Sequence, residues 1–464
     1  MLVACGPGEP NATSAGTTDP GSDSAGTSGP EAPTSDATDP PTTAATTADT
    51  LTTDSEATPD TNDPGAPACG DGVLDDGELC DDGDPDPADG CDAACTPVPA
   101  AAWTFSYDGP ASKNDGAIDV AVDPTGQIFV VGSQYDKNRD ALLMVLSPDG
   151  QELWHRAIDG VAGRDDLFYA VELAPNGTIY VAGHEEVALD EYTAVVRALA
   201  PDGSDLWRFA EEPENPGNAV AQALSLADGA LYSTGNASHE LIARRHDLAT
   251  GAADWRIATT LEWPDASGEA VLAAADRVIF VGYVQDNTII RPLTLVVDPT
   301  TGEVVSELIQ ELPWGFWYGV RPIGPDGDLM FVGRTYMPGV IDRDVIVRRT
   351  DADFVETWTQ IYDPHVLEDM GNDVAVGANE SIFVVGSVGV FKQEDEYEDN
   401  EEYDLLAARY GPDGAQLWID TFGTVDDREF GNAAAAGPGF FVVAGYVAAP
   451  NQVTNLWVRR YNDG

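Results

Sequence analysis

Acidic residues recur at one position of a repeated pattern, and their side chains are the ones in this chain best suited to chemistry. An apolar run closed by glycine occurs seven times, at Gly132, Gly183, Gly235, Gly282, Gly333, Gly386 and Gly445. At a fixed distance before these glycines lie Asp115, Asp166, Asp265, Asp369 and Arg428. Four positions later, a second set contains Asp119, Glu269 and Asp373. If the repeats are arranged around an axis, both sets converge at one mouth of a central channel.

Converging carboxylates suit two kinds of chemistry. They can hold a cation or a basic group, or they can shift one another's pKa values for acid–base catalysis. In the first case, we expect Arg428 to bridge two of the acids when the site is empty. The alternative is that each Asp only accepts hydrogen bonds from its own turn, as Asp often does. Both interpretations stay open at the level of sequence.

The elements that must position these residues are short strands. Val120–Val122 and Ile128–Val131 flank a D-P-T-G turn, Ala141–Leu146 precedes S-P-D-G, and Glu152–Ile158 follows it. Tight turns between short apolar runs predict antiparallel strands, four in each repeat. A Trp follows the second turn at Trp103, Trp154, Trp207, Trp255, Trp358 and Trp418, with one Trp missing near Glu307 or Leu308. Seven repeats of about 50 residues predict an all-β, seven-bladed β-propeller.

The ends of the repeat region indicate how the ring closes. The last repeat has three strands and ends at Trp457–Tyr461, without a fourth. The segment Trp103–Tyr107 precedes the first full repeat and has the character of the missing strand. We therefore expect this N-terminal strand to complete the last blade, with a propeller over residues 103–464.

Four aromatic residues lie at the same predicted channel mouth in the fifth repeat: Trp314, Phe316, Trp317 and Tyr318. If exposed, they form a platform on which a sugar or peptide stacks. If buried, they plug the channel. The sequence does not separate these two interpretations.

The first five residues suggest a cellular location. Leu2-Val3-Ala4-Cys5 resembles the lipobox at the end of a bacterial lipoprotein signal peptide, although the usual basic and long apolar regions are absent. The resemblance implies lipidation of Cys5. Residues 6–68 are rich in Thr, Ser, Ala, Pro, Gly and Asp, and such a segment is predicted to be a disordered linker.

Residues 69–95 carry the other four cysteines, Cys69, Cys80, Cys91 and Cys95. The stretch C-G-D-G-V-L-D-D-G-E-L-C-D-D-G, followed by D-G-C-D-A-A-C, resembles the short myxobacterial-type cysteine-rich repeat of surface proteins. The resemblance implies two disulfides in an oxidising compartment, with three pairings open. A zinc site is the alternative. Alternating Asp82, Asp84 and Asp86 could hold calcium or form a solvated acidic turn. Residues 96–102 read as a linker.

The repeat region resembles bacterial propellers of the quinoprotein-like and delta-sixty-type repeat groups. The residues that carry the resemblance are Ser147–Trp154, Asp247–Trp255 and Gly411–Trp418. It implies that the repeat Trp packs between neighbouring blades. A quinone-dependent dehydrogenase is disfavoured, because such enzymes are expected to have eight blades and often adjacent cysteines near the cofactor. The chain has seven repeats and no Cys after Cys95.

Charge limits the partners. The chain has 81 Asp and Glu against 22 Lys and Arg, a net charge of −59. Nucleic acid and anionic lipid are therefore poor partners. We expect a monomer in the cell envelope, or secreted, that meets the membrane only through a lipid anchor and binds a protein, peptide or glycan. No cofactor is expected apart from possible calcium. The alternatives are a secreted hydrolase or lyase that uses the acids at the channel mouth, and a structural spacer without a specific ligand.

Overall fold

The computed structural model describes residues 101–211, 218–259, 264–286, 289–310, 314–336, 343–364, 367–390, 402–423, 428–449 and 453–462. The predictions for the lipobox with Cys5, the linker over residues 6–68 and the cysteine-rich segment lie outside these residues. They include the disulfides of Cys69, Cys80, Cys91 and Cys95 and the calcium ligands Asp82, Asp84 and Asp86. In the described part, no helix is long and apolar enough to cross a membrane.

The described residues form seven four-stranded antiparallel sheets, the blades of a β-propeller. After β1 (Ala101–Tyr107), blade 1 contains β2 (Gly116–Val122), β3 (Ile128–Tyr135), β4 (Arg139–Leu146) and β5 (Glu152–Ile158). Blade 2 contains β6 (Asp166–Leu173), β7 (Ile179–Ala188), β8 (Glu191–Leu199) and β9 (Asp205–Glu211). Blade 3 contains β10 (Ala219–Ala227), β11 (Ala230–Ala237), β12 (Glu240–Asp247) and β13 (Ala253–Ala258). Blade 4 contains β14 (Asp265–Ala273), β15 (Val278–Gln285), β16 (Ile290–Val297) and β17 (Val304–Ile309).

The remaining three blades follow the same order. Blade 5 contains β18 (Trp314–Ile323), β19 (Asp328–Tyr336), β20 (Asp344–Thr350) and β21 (Glu356–Tyr362). Blade 6 contains β22 (Met370–Val376), β23 (Ile382–Val390), β24 (Glu402–Tyr410) and β25 (Gln416–Phe422). Blade 7 contains β26 (Phe430–Gly437), β27 (Phe440–Ala449), β28 (Val453–Asn462) and, from the other end of the chain, β1.

Ring closure follows the prediction. Strand β1 pairs antiparallel with β28, and Phe105 lies opposite Val458 while Tyr107 lies opposite Leu456. The strand begins at Ala101, slightly earlier than the predicted Trp103. Because the first and last described strands share one sheet, the backbone hydrogen bonds of blade 7 hold the ring together.

The first strand of each blade is the innermost one. Each packs against the first strands of both neighbouring blades, so β26 contacts β2 and completes the circle. Each of these strands contains a register shift at the same place, opposite the landmark glycine or the residue just before it. One residue is left unpaired at each shift, namely Ile118, Tyr169, Gln222, Glu269, Tyr318, Asn372 and Asn432. A bulge bends and twists a strand, and here it sits where the blades crowd around the axis.

The two faces of the ring differ. Because the strands alternate in direction, the connections from the first to the second and from the third to the fourth strand share one face, which we call the turn face. The connections from the second to the third strand and from one blade to the next share the opposite face, the loop face. Turns such as Asp123–Gln127 and Ser147–Gln151 lie on the turn face.

Tryptophans join the blades near the turn face. The ring of Trp103 lies against Gly150 of blade 1, where an added Cβ would come within 2.6 Å of Cδ2. Its Nε1 donates to the Pro148 carbonyl oxygen at 2.9 Å. The same contact joins Trp154 to Gly203, Trp207 to Gly251, Trp255 to Gly302 and Trp358 to Gly414. The interblade role that the resemblance implied for these Trp residues is what the contacts show.

At the joint between blades 4 and 5, both the Trp and the glycine that it packs against are replaced by other residues. Ser306 stands where the other blades carry Trp, because it pairs with Val296 as Trp154 pairs with Val145. The missing Trp is therefore at position 306, not at the predicted 307 or 308. The facing turn has Phe354 at a positive φ of 64° instead of glycine. Phe354 packs against a cluster that includes Ile279 of blade 4, so its ring compensates for the absent indole.

This exchange predicts a double-mutant result. Phe354→Gly should lower the free energy of unfolding by about 1–3 kcal/mol because it removes a packed ring. Ser306→Trp alone should also destabilise, because the new indole meets Phe354. The double variant should recover part of both losses, with a coupling energy of about 0.5–3 kcal/mol, since it recreates the contact of the other joints. Chemical denaturation measures all three.

The control is the reverse exchange at the joint between blades 1 and 2. Trp154→Ser combined with Gly203→Phe should show coupling of the same sign. Strictly additive losses at Ser306 and Phe354 would contradict the compensation.

Candidate functional site

Three carboxylates of the first set accept hydrogen bonds from backbone N–H groups. Asp115 is fully buried at the start of β2. Its Oδ1 accepts from the Tyr135 backbone N–H at 2.7 Å, and its Oδ2 accepts from the Gly109 N–H at 2.5 Å. One side chain thus fixes both the end of β3 and the connection from β1 to β2. This is the turn-forming role that the sequence left as an alternative.

Asp166 and Asp369 repeat this arrangement. Asp166 accepts from the backbone N–H groups of Gly160 and Glu186. Asp369 accepts from the Gly389 N–H at 2.9 Å. Burial raises the pKa of Asp166 to about 7, although the two backbone hydrogen bonds oppose that rise.

The other two members of the first set do not share that environment. Asp265 is partly exposed and lies 3.4 Å from the ring nitrogen Nδ1 of His239. In blade 7, the buried position equivalent to Asp115 is occupied by Glu429, whose N–H donates to the Tyr403 carbonyl oxygen. Arg428 is one residue earlier, so the alignment that placed it among the buried acids was off by one residue.

The second set is closer to the axis and only partly comes together. Asp119 and Asp373 occupy the position directly after the bulge in blades 1 and 6. Each is close enough to the other for their charges to interact. Glu269 instead sits at a bulge of blade 4, where its carboxylate accepts a hydrogen bond from Ser267.

Two further residues complete a charged cluster at the axis. Arg321 of β18 donates from Nη2 to Asp373, at 3.2 Å from Oδ1 and 3.4 Å from Oδ2. Its charge also acts on Asp119 and on Glu172 of β6. We call Asp119, Glu172, Arg321 and Asp373 the channel cluster. It contains three acids and one base.

Carboxylates of the channel cluster also tie neighbouring blades to one another. Asp119 accepts from the Val120 N–H of its own strand and from the Val171 N–H of blade 2, both at 2.8 Å. Asp373 likewise accepts from Val374 at 2.8 Å and from Ala434 of blade 7 at 3.1 Å. Hydrogen bonds to backbone N–H groups stabilise the charged form of a carboxylate. The cluster therefore has a structural role in aligning the inner strands.

Amide side chains at two bulges form the same kind of link. Asn372 donates from Nδ2 to the Gly431 carbonyl oxygen at 2.8 Å, from blade 6 to blade 7. Asn432 donates to the Ala117 carbonyl oxygen at 2.7 Å, from blade 7 to blade 1. The bulge thus turns a side chain towards the next blade, where it satisfies a backbone group.

Burial dominates the protonation of the channel cluster. It raises the pKa of Asp119 to about 7, and the nearby Asp373 carboxylate adds to that rise. It also raises the pKa of Glu172 to about 7, against the opposing effect of Arg321. The pKa of Asp373 is raised by burial as well, and Arg321 opposes the shift. Near neutral pH, the cluster can therefore gain or lose protons.

The four aromatic residues of blade 5 do not share one surface. Phe316 and Trp317 are each 1% exposed. The ring of Trp317 packs beside Phe331 inside the blade, while Phe316 stacks on Tyr318 with 5.5 Å between ring centroids. Trp314 and Tyr318 are partly exposed. Only these last two remain available as part of a stacking surface.

Sequence reasoning missed Glu172 and Arg321, although one signal was present. Among the seven first strands, Arg321 is the one basic residue. A lone cation on strands that also carry Asp119, Glu172 and Asp373 indicates a charge-compensating role. Alignment at a fixed distance from the glycine obscured this, because the hairpin between the first and second strands differs in length from blade to blade.

No group of three or more His, Cys, Asp or Glu side chains among the described residues is placed to hold a metal ion. The calcium site expected at Asp82, Asp84 and Asp86 lies outside those residues and stays a prediction. So does cation binding at the acids of the propeller.

Comparisons with known proteins add a fold neighbour. No family model matches the chain, and no curated protein sequence matches it. Among solved structures, the chain is similar to the one titled "Structure of Dos1 propeller". The two share 12% sequence identity with a TM-score of 0.46, over 78% of this chain and 95% of the other.

The raised pKa of Glu172 predicts a pH effect on stability. An acid with a higher pKa in the folded state stabilises the fold most at low pH, and this contribution is lost as pH rises from about 4.5 to about 7. Glu172→Gln removes that loss. The melting temperature of the variant minus that of the wild type should therefore increase from pH 4.5 to pH 8, by about 1–3 °C.

Asp149→Asn is the matched control, because Asp149 is an exposed acid on a turn. Its difference from the wild type should stay constant over the same pH range. If the melting-temperature difference between Glu172→Gln and the wild type stays constant over this pH range, ionisation of this carboxyl in the channel does not destabilise the fold.

Proposed function

We propose that the protein is a binding module of the cell envelope, whose loop face holds a basic protein or peptide. The observation that carries this proposal is the difference between the two faces of the ring. The turn face is built from short turns that use their own polar groups. The loop face has connections of very different length, and two of them carry the most exposed large apolar side chains among the described residues, Val161 and Leu189.

Acids on the turn face are occupied by their own turns. Asp123 accepts from the Thr125 and Gln127 N–H groups. Asp202, Asp247, Asp298, Asp351 and Asp413 accept N–H groups from their turns in the same way. Asp side chains used in this way shape the backbone, so these acids have a structural role in their own turns.

The loop face is different. Its connections range from Leu189-Asp190, between β7 and β8, to residues 391–401, between β23 and β24. Val161 and Leu189 are 79% and 73% exposed on two of them. Variable loops on a rigid scaffold are the usual carriers of recognition, and exposed apolar side chains among acids suit a partner that is both basic and partly apolar.

Charge supports the same class of partner. Residues 1–100 contain 21 acids and no Lys or Arg, so 81 − 21 = 60 acids remain against 22 bases in the rest of the chain. An excess of negative charge speeds association with basic partners and slows it with acidic ones.

The alternative of a hydrolase or lyase has less support. It needs carboxylates at the channel mouth that are free to exchange protons with a substrate. Asp115 and Asp166 instead each hold two backbone N–H groups. Breaking those bonds would release the connections between blades that these residues fix.

The envelope location rests on the N-terminal sequence. A lipidated Cys5, the linker over residues 6–68 and the cysteine-rich segment would together place the propeller outside the cytoplasm at some distance from a membrane.

Loop-face binding predicts an asymmetric mutational response. Fluorescence anisotropy would compare a Lys/Arg-rich peptide with an acidic peptide of equal length. The basic peptide should bind more tightly, and less so at high salt. Val161→Ser and Leu189→Ser should each weaken binding by about 3–10-fold, since they remove apolar contacts.

Val355→Ser is the matched control, because Val355 is 62% exposed on the turn face. It should bind as the wild type does. Equal binding of acidic and basic peptides, or an equal loss in Val355→Ser, would refute the proposal.

Lipid anchoring makes a separate prediction. With an upstream signal sequence supplied, Cys5→Ser should move the protein from the membrane fraction to the soluble fraction, because it removes the acceptor thiol. Cys95→Ser serves as the control and should stay in the membrane fraction. Fractionation followed by immunoblotting measures both, and unchanged partitioning of Cys5→Ser would exclude lipidation.

A further inference from the structure

A cavity of about 410 Å³ lies between β17 of blade 4 and the outer strands of blade 5. It occurs at the joint where Ser306 replaces the interblade Trp. Its walls include the apolar side chains of Leu308 and Phe354 and the guanidinium of Arg348. A cleft of this volume is in the range of those that take up ligands.

The joint between blades 1 and 2 shows which group occupies the same place there. Arg156, two residues after Trp154, reaches across that joint. Its Nη1 donates to the carbonyl oxygen of Gly203, and its Nη2 donates to the Asp205 carboxylate at 2.6 Å. One guanidinium thus bonds both a turn carbonyl and an acid of the next blade.

Blade 4 does not supply this cation. Leu308, two residues after Ser306, stands where blade 1 has its arginine. Phe354 and Glu356 stand where blade 2 has the turn glycine and the acid. All three of these residues line the cavity. Because a leucine side chain donates no hydrogen bond, the cavity occupies the place of the missing guanidinium.

Arg348 of blade 5 does not fill that place. It contacts Glu356 at 3.3 Å within its own blade. Arg197 has the equivalent position in blade 2 and contacts Asp205 at 3.2 Å. Since Asp205 also accepts from Arg156 of the neighbouring blade, the acid at this position can pair with a second cation.

The charge of the cavity favours a cationic occupant. Three acids line it, Glu307, Asp353 and Glu356, against the one guanidinium of Arg348. Arg277 is not among the lining residues, and its Nη1 donates to a carbonyl oxygen of the nearby turn at 2.6 Å. Acids beside apolar walls suit an alkyl chain that ends in a positive charge.

We propose that this cavity binds an arginine side chain of a partner protein. Its methylene chain would pack on Leu308 and Phe354, and its guanidinium would donate to the Glu356 carboxylate and to the Phe354 carbonyl oxygen. Lysine suits the site less well, because its compact ammonium lacks the planar fork that reaches two acceptors. The inference goes beyond the proposed function, since this site is on the rim of the ring.

The test titrates the full-length protein with N-acetyl-L-arginine amide and with its citrulline analogue, which has nearly the same shape but no charge. Ligand-observed NMR should show about tenfold tighter binding of the arginine derivative. The lysine derivative should bind about threefold more weakly than the arginine derivative. Free arginine should also bind more weakly than the capped form, because its own carboxylate meets the acids of the cavity.

Two variants act on the site itself. Leu308→Arg supplies the guanidinium from the chain, as blade 1 does, and should abolish binding of the arginine derivative. Glu356→Gln should remove most of the preference for arginine over citrulline, because it deletes the charged acceptor. Near-ultraviolet circular dichroism establishes that each variant is folded, and either variant decides the test if the other does not fold.

Leu153→Arg is the matched control. Leu153 is 50% exposed on β5 and does not line the cavity. The variant adds the same charge elsewhere on the rim, so it should bind the arginine derivative as the wild type does.

The outcomes separate this site from the loop face. Equal binding of the arginine and citrulline derivatives, tighter binding of lysine, or binding that survives in Leu308→Arg overturns the guanidinium site. Tighter binding of free arginine overturns the protein partner in favour of a free amino acid. Val161→Ser should leave binding of the arginine derivative unchanged, and a loss there would place the derivative on the loop face instead. The loop-face proposal fails separately, if basic and acidic peptides bind equally.

Discussion

Pairing of β1 with β28 is the constraint on which the rest of the propeller depends. The inner strands pack side by side around an axis, and such a ring is stable only if the first and last blades are joined. Here the join is a ladder of backbone hydrogen bonds between residues at opposite ends of the repeat region. The same strand brings Trp103 onto Gly150, so one segment supplies both the closure of blade 7 and its joint to blade 1.

Once the ring is closed, most of its buried acids serve to maintain it. Asp115 and Asp166 fix connections on the loop face, while Asp119 and Asp373 link inner strands of adjacent blades. These carboxylates take the place of backbone acceptors where the blades converge. The exposed loops are then the part of the ring that is free to take up the binding role proposed above.

Much of this fold could be predicted from sequence, because turns and apolar runs recur at a regular interval along the chain. Blade number, strand order and closure all follow from the landmark glycines and from Trp103–Tyr107. The site could be predicted less well. The hairpins between first and second strands differ in length, so that an alignment at a fixed distance from the glycine placed Arg428 where Glu429 lies. Arg321 and Asp373 meet only across the joint between blades 5 and 6, a contact that no single repeat reveals.

The joint between blades 4 and 5 has a consequence for the mechanics of the ring. At the joint to blade 1, the indole N–H of Trp103 bonds a carbonyl oxygen of the neighbouring blade, as do those of Trp207, Trp255 and Trp358 at their joints. Ser306 and Phe354 offer apolar packing without that bond. Apolar packing weakens on cooling, whereas a hydrogen bond does not depend on temperature in that way. The joint between blades 4 and 5 is therefore expected to respond to temperature differently from the hydrogen-bonded joints. The joint at which the ring first opens is expected to change with temperature.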